Sequence, residues 1–213
     1  MEIQEINLGK IEYPYLLSQI NNPPKKLYVL GNKEILREKS IAIVGCRECS
    51  EYGKKVSEEL AYNLGMQNII TVSGLAKGID SYCHIGTIKA KARTIAVVAH
   101  GLDMVYPKEN RQLAREILKY GGAIVSEYER GMKPEKWHFP ERNRIISGLS
   151  RATVVIEAKI KSGSLITANY ALEQGREVYA VPGNIYKKEA EGTNDLIKQG
   201  ACIFTSYKDL TDL

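Results

Sequence analysis

Cysteine is scarce in this chain, with four in 213 residues, too few for the disulfide framework that holds small secreted domains together. Cys46 and Cys49 form a Cys-x-x-Cys pair, but no second pair, clustered histidine or Pro-rich turn accompanies it. A zinc or redox role lacks its remaining parts, and two small side chains filling a tight turn account for the pair. Cys83 and Cys202 read as buried apolar side chains. Histidine is scarcer still: His84, His100 and His138 stand at spacings unsuited to joint ligation, so no metal is expected, and no cofactor is expected either, since the dinucleotide and Walker-type motifs are missing. No apolar run approaches the length of a membrane span, and the opening Met-Glu-Ile-Gln-Glu-Ile is acidic where a leader would be apolar. These absences predict a soluble, cytoplasmic protein with no membrane partner. Repeats, low-complexity tracts and Gly/Ser linkers are missing as well, which predicts one main domain. Charge of one sign is in modest excess, 30 Lys plus Arg against 25 Asp plus Glu, net +5. That permits an anionic partner without demanding one, so a basic footprint must come from where the charges sit.

What the chain does have is an alternation of short β-branched runs with segments of helical period, the pattern of a doubly wound α/β domain with a mostly parallel sheet. Strands are predicted at Ile41 to Val44, Ile69 to Val72, Thr94 to Val98, Ala123 to Val125, Thr153 to Ile156, Val178 to Val181 and Cys202 to Thr205. Val56, Leu60 and Leu64 are spaced by four and predict a helix from Glu51 to Leu64, stopped by Gly65. Further helices are predicted near Ile79 to Ala90, Asn110 to Tyr120, Arg142 to Leu149, Ser164 to Gln174 and Asn194 to Lys198, with Gly121 and Gly175 ending two of them. Before residue 37 the period is broken by Tyr13-Pro14-Tyr15 and Asn21-Asn22-Pro23-Pro24. Residues 1–36 therefore read as an arm packed on a core of residues 37–213.

Glycine-bearing turns follow several of these strands: Gly45-Cys46-Arg47, Ser73 to Asp80 with Gly74 and Gly78, Gly101, and Ser162-Gly163-Ser164 ahead of Thr167. In a parallel sheet they share the carboxyl edge, where helix N-termini also gather and favour anions. Gly74 with Gly78, and the Ser162 to Thr167 hydroxyls, read as cradles for a phosphate. Arg47 and Lys77 add charge in the same turns. Near the start of the Arg142 helix stand Lys136, Trp137, Phe139, Asn143 and Arg144. Flat rings beside guanidinium groups suit a single nucleic-acid strand, the rings stacking on bases and the cations meeting phosphates. A solvated loop whose Phe and Trp plug the core is the competing reading.

Enzymatic signatures are missing. The first strand is not followed by Gly-x-Gly-x-x-Gly, and neither a Walker-type loop nor a Gly-x-Ser-x-Gly elbow occurs. Asp80 and His84 share a helical face and are expected to hold their loop rather than act as a base. Glu127 and Glu157 follow strands and are expected in internal ion pairs.

Taken together these stretches, with Tyr106-Pro107, Ser126-Glu127, Phe139 to Ile146, Glu157-Ala158, Gly175-Arg176 and Val181-Pro182-Gly183, resemble the DNA-processing protein A family (DprA, also called Smf) and run in its order over residues ~10 to 210. The resemblance implies an extended Rossmann-like domain without catalysis that binds single-stranded DNA, dimerises and helps load the RecA recombinase during natural transformation. It implies a DNA pocket lined by Arg47 and by the stretch around Lys136 and Phe139. Cys46, Ala92 and Ala99-His100 depart from the family pattern, which carries Ser or Thr at the first position and glycine near the others. The winged-helix-like C-terminal domain and helical N-terminal domain of many members are not expected here. The alternative is a nucleotide sensor or a phosphoribohydrolase of a related Rossmann-like family. Its motif requires Glu where this chain has Tyr170, with Glu173 one turn further on.

Overall fold

A computed structural model describes residues 2–210; the last three residues of the expected core lie outside the described residues. The alternation is realised as a central sheet with helices on both faces. In chain order the elements are β1 (Ile3–Asn7), α1 (Tyr15–Ser18), β2 (Lys26–Gly31), β3 (Ser40–Val44), α2 (Glu51–Met66), β4 (Ile70–Ser73), α3 (Ile79–Lys89), β5 (Thr94–Val97) and α4 (Arg111–Lys119). They continue with β6 (Ala123–Ser126), α5 (His138–Leu149), β7 (Ala152–Val155), α6 (Gly163–Glu173), β8 (Glu177–Ala180), α7 (Lys188–Lys198) and β9 (Cys202–Ile203). Among the described residues the sheet has nine strands in the order β1-β2-β6-β5-β4-β3-β7-β8-β9. All pairs from β6 to β9 are parallel, while β1 and β2 join antiparallel.

The strands are apolar on both sides because both sides are covered. In β3, Ala42 and Val44 pack towards α5 and α6, and Ile41 and Ile43 pack towards α2 and α3, the period of two that a pleated strand imposes. Leu60 and Leu64 of α2 meet Ile79 and Cys83 of α3 on the second face. No helix of the described residues is long and apolar enough to cross a membrane.

Several expectations are corrected. The arm holds two strands: β2 pairs with β6 through Tyr28 to Gly31, so the first 36 residues extend the sheet. Helix α2 runs through Gly65, where a Cβ would stand 2.8 Å from that of Ala92; this glycine serves close packing, and the left-handed residue falls at Asn68, φ 58°. Helix α5 begins at His138, four residues earlier than expected, and α7 at Lys188, six earlier. Cys202 is exposed on the edge strand, whereas Cys83 is buried. Gly121 and Gly175 do end α4 and α6, each with positive φ.

Candidate nucleic-acid interface

The strand order reverses between β3 and β7: from β3 the chain winds outward through β4, β5 and β6, then returns to the other side of β3 for β7, β8 and β9. Loops leaving β3 and β7 must therefore part, and a crevice opens between them at the carboxyl edge. It encloses about 520 Å³ and is lined by the β3 turn (Gly45, Cys46, Arg47), by Ala76 and Asp80, by Phe139, Arg142 and Asn143 of α5, and by residues 159–164 and Thr167 ahead of and within α6. Three of the four predicted turns meet there. Gly101 does not; its neighbour His100 lines a smaller cavity of about 80 Å³ behind Phe139.

Helix α6 points its N-terminus into the crevice. Ser162 caps it, accepting from the Ser164 N–H, and the two hydroxyls lie 2.8 Å apart. Asn143 donates to the Gly163 carbonyl at 3.1 Å and fixes the turn to α5. The glycines divide by role. A Cβ on Gly45 would collide with Ile79, on Gly74 with Asp80 and Arg142, and on Gly78, at φ +76°, with the Cys46 carbonyl, so these three let neighbouring turns close on one another. At Gly163 a Cβ would meet nothing within 4 Å. Its bare backbone faces open space at a helix N-terminus, where free N–H groups favour an anion.

The cations also divide. Arg47 is exposed, with its guanidinium carbon 5.2 Å above the Phe139 ring. That ring lies 6.0 Å from Tyr106. Lys136 is exposed and unpaired, and Lys77 is exposed but paired with Glu109 at 2.5 Å. The indole N–H of Trp137 donates to Glu135 at 2.6 Å, and its ring stands edge-on to His138.

Arg142 and Arg144 do not meet the expectation for phosphate-holding residues. Arg142 is only 4% exposed; its Nη1 donates to the Gly74 carbonyl at 2.7 Å and to that of Val97. Burial lowers its pKa to about 10 against the favourable pull of Asp80. Arg144 pairs with Glu127 at 2.6 Å and donates to the Asn22 carbonyl at 3.0 Å, clamping the arm to the core. The internal ion pair foreseen for Glu127 is thus present. Glu157 instead accepts from the Ser50 N–H and hydroxyl at the start of α2.

Among the crevice residues that were missed are Lys159, Ile160 and Lys161, between β7 and α6. Two lysines directly before the Ser-Gly-Ser turn were the signal. Lys159 pairs loosely with Glu48 at 3.3 Å, and Lys161 is exposed at φ 64°. Tyr106, quoted as a motif but not as part of the aromatic face, lines the smaller cavity behind Phe139.

His84 is fully buried, its Nδ1 2.8 Å from the Thr94 hydroxyl, and burial lowers its pKa to about 3. Asp80 accepts from the Ala76 N–H and so holds its loop, and burial raises its pKa. Burial also raises the Cys46 and Cys49 thiols, keeping both protonated. Among the described residues no group of three His, Cys, Asp or Glu is placed to hold a metal ion.

A sheet that reverses at β3/β7, with a bare helix N-terminus and a cation over an aromatic face at that point, defines a Rossmann-like ligand-binding domain suited to phosphate beside flat rings. Residues 4–213 match the DNA recombination-mediator protein A family, and the chain belongs to it. It is 46% identical over 209 residues to DNA processing protein DprA of Bacillus subtilis, covering 98% of this chain and 70% of that protein. Protein Smf of Escherichia coli is 40% identical over 200 residues, 94% of this chain and 54% of the relative. The X-ray structure of DprA from Streptococcus pneumoniae superposes with a TM-score of 0.92 at 41% identity, covering 100% of this chain and 74% of that one. DNA processing protein A of Helicobacter pylori, solved for its single-stranded DNA binding mode, gives 0.88 at 30% identity, over 99% and 95%. Molybdenum cofactor binding and carrier proteins share the fold alone, at 15–16% identity with TM-scores of 0.52–0.59.

Proposed function

We propose that the β3/β7 crevice holds a single strand of DNA, without catalysis, and that the protein delivers this strand to a recombinase of the RecA type as a homodimer in the cytoplasm. The observation that carries the reading is the Arg47 guanidinium lying over Phe139 at the mouth of the crevice, opposite the bare N-terminus of α6. A base stacks on the free aromatic surface while the phosphate beside it meets Arg47, Lys161 and the N–H of Gly163. A duplex offers no unstacked base to such a site. Lys136, exposed just ahead of α5, is not among the residues lining the crevice and would meet only strand that runs beyond it. Residues 37–213 carry the site, and residues 1–36 brace it through Arg144. Family membership and the single-strand binding of the Helicobacter pylori relative support this reading.

Fluorescence anisotropy of a labelled oligonucleotide, single-stranded and duplex, tests it. Binding should prefer the single strand, with log affinity falling against log salt by about 0.7 for each phosphate neutralised. Arg47→Ala and Phe139→Ala should each weaken it about tenfold or more. Equal affinity for duplex, or indifference to salt, would refute the assignment. Recombinase delivery is tested separately, by strand-exchange assays with the purified protein present or omitted.

A further inference from the structure

At the opposite end of the sheet a second groove of about 580 Å³ opens beneath the arm, lined by Tyr15, Lys39, Arg151 and Arg176 among others. Each of these three cations immediately precedes a strand, β3, β7 or β8, and the three strands are neighbours. Ala152 is in register with Glu177, so Arg151 and Arg176 stand side by side on adjacent strands, roughly 4.8 Å apart along the sheet. Three cations around one groove without a paired carboxylate leave a positive field that an anion would neutralise. No carboxylate pairs with Lys39, Arg151 or Arg176 among the described residues. Of the two acids lining the groove, Glu38 is held in a bidentate pair by Arg93 at 2.6 and 2.7 Å, and Glu177 is exposed on β8.

Cations at this end of a parallel sheet also complement helix C-termini. That role does not use these side chains up. Neither Lys39 nor Arg151 is bonded to a helix carbonyl, and Arg176 gives one N–H to the Leu16 carbonyl at 2.9 Å. Its Nε is buried with no partner. A half-buried guanidinium with no counter-charge is the arrangement an anion relieves. Beside it Tyr15 is 73% exposed and Ile11 91% exposed, leaving a flat apolar surface next to the charges.

The geometry points to a second nucleotide-binding site here, separate from the crevice, in which Arg151, Arg176 and Lys39 hold a phosphate and Tyr15 stacks on the base. The phosphate belongs either to a free mononucleotide or to a distant segment of a bound strand. The site accounts for the Gly175-Arg176 motif, which the crevice leaves unused: Gly175, at φ 67°, turns the chain out of α6 so that Arg176 enters the groove.

The test is a ¹⁵N–¹H titration of the full chain carrying Arg47→Ala and Phe139→Ala together, which weakens the crevice and leaves the groove intact. Deoxyadenosine monophosphate, a thymidine oligonucleotide and inorganic phosphate are added in separate arms. Saturable shifts at Leu16, Lys39, Gly175 and Arg176 are expected with the mononucleotide or the oligonucleotide, and whichever acts at the lower concentration identifies the source. Arg151→Glu, an exposed and unpaired position, should raise the Kd at least about tenfold at unchanged melting temperature. Tyr15→Ala should weaken the nucleotide but not inorganic phosphate. The proposal is overturned by shifts confined to residues 159–167, by inorganic phosphate binding as tightly as the nucleotide, or by a response that Arg151→Glu leaves unchanged.

Discussion

Two arginines line the same crevice and do opposite things. Arg47 lies on the surface, held by little except the Phe139 face, and its charge is free to meet a ligand. Arg142 is sealed beneath it, and its guanidinium ties the β4 turn to the end of β5 through two carbonyls. Removing Arg142 leaves both carbonyls without this donor and takes a compensating charge from buried Asp80. Arg142→Met should therefore cost about 3–5 kcal/mol of stability. Arg47→Ala should change stability by less than about 0.5 kcal/mol, while reducing the salt slope of DNA binding by about 0.7. Urea denaturation of both variants beside a salt-titrated binding assay separates the roles. An Arg142→Met protein as stable as the wild type would show that this side chain is not the internal strut described here.

At the scale of elements, the N-terminus of α6 and the arm lead to separate expectations. Nothing in the protein opposes a side chain at Gly163, so Gly163→Val should leave the melting temperature within about 2 °C. It should still weaken single-strand binding several-fold, because a β-branched side chain keeps a phosphate from the N–H groups it would use. Loss of stability without loss of binding would remove α6 from the site. The arm depends on Arg144, which joins Glu127 after β6 to the Asn22 carbonyl. Arg144→Ala should speed amide exchange across residues 15–24 while leaving the salt slope of DNA binding unchanged, as expected of a cation that meets no phosphate. A reduced slope would return Arg144 to the interface.

At the scale of the whole molecule, the sheet was legible because burial on two faces writes itself as short β-branched runs, and the crevice was legible because glycine and hydroxyl residues cluster after β3, β4 and β7. The burial of the arginines was not. It follows from where α5 begins: starting at His138, the helix puts His138, Arg142, Ile145 and Leu149 on one inward face, whereas a start at Arg142 would have left that residue at the mouth. The first strand of the arm was hidden because Ile3 to Asn7 is largely polar and gains its structure by pairing with β2, while the apolar run of β2 was masked by the prolines just before it. Another consequence of the closed core is a dependence on pH. Behind β4 and β5 lies a buried chain of hydroxyls, Thr87 to Thr71 at 2.6 Å and Thr71 to Thr94 at 2.8 Å, ending on His84. Burial, aided by the positive charge of Arg142, lowers the His84 pKa from 6.5 to about 3. Between those values the unfolded chain takes up a proton that the folded one refuses, so stability is intact above about pH 6.5 and falls as the pH drops, by up to about 1.4 kcal/mol per unit. Asp80 acts in the other direction, since its raised pKa lets the folded state take up a proton first and offsets part of the loss in acid. Comparing wild type with His84→Gln by urea denaturation from pH 7 to pH 4 isolates the histidine, because the variant keeps Asp80 and loses only the imidazole. The wild-type curve should fall more steeply than that of the variant, whatever the variant's stability at neutral pH. Parallel curves would mean that protonation of His84 is accommodated in the folded core.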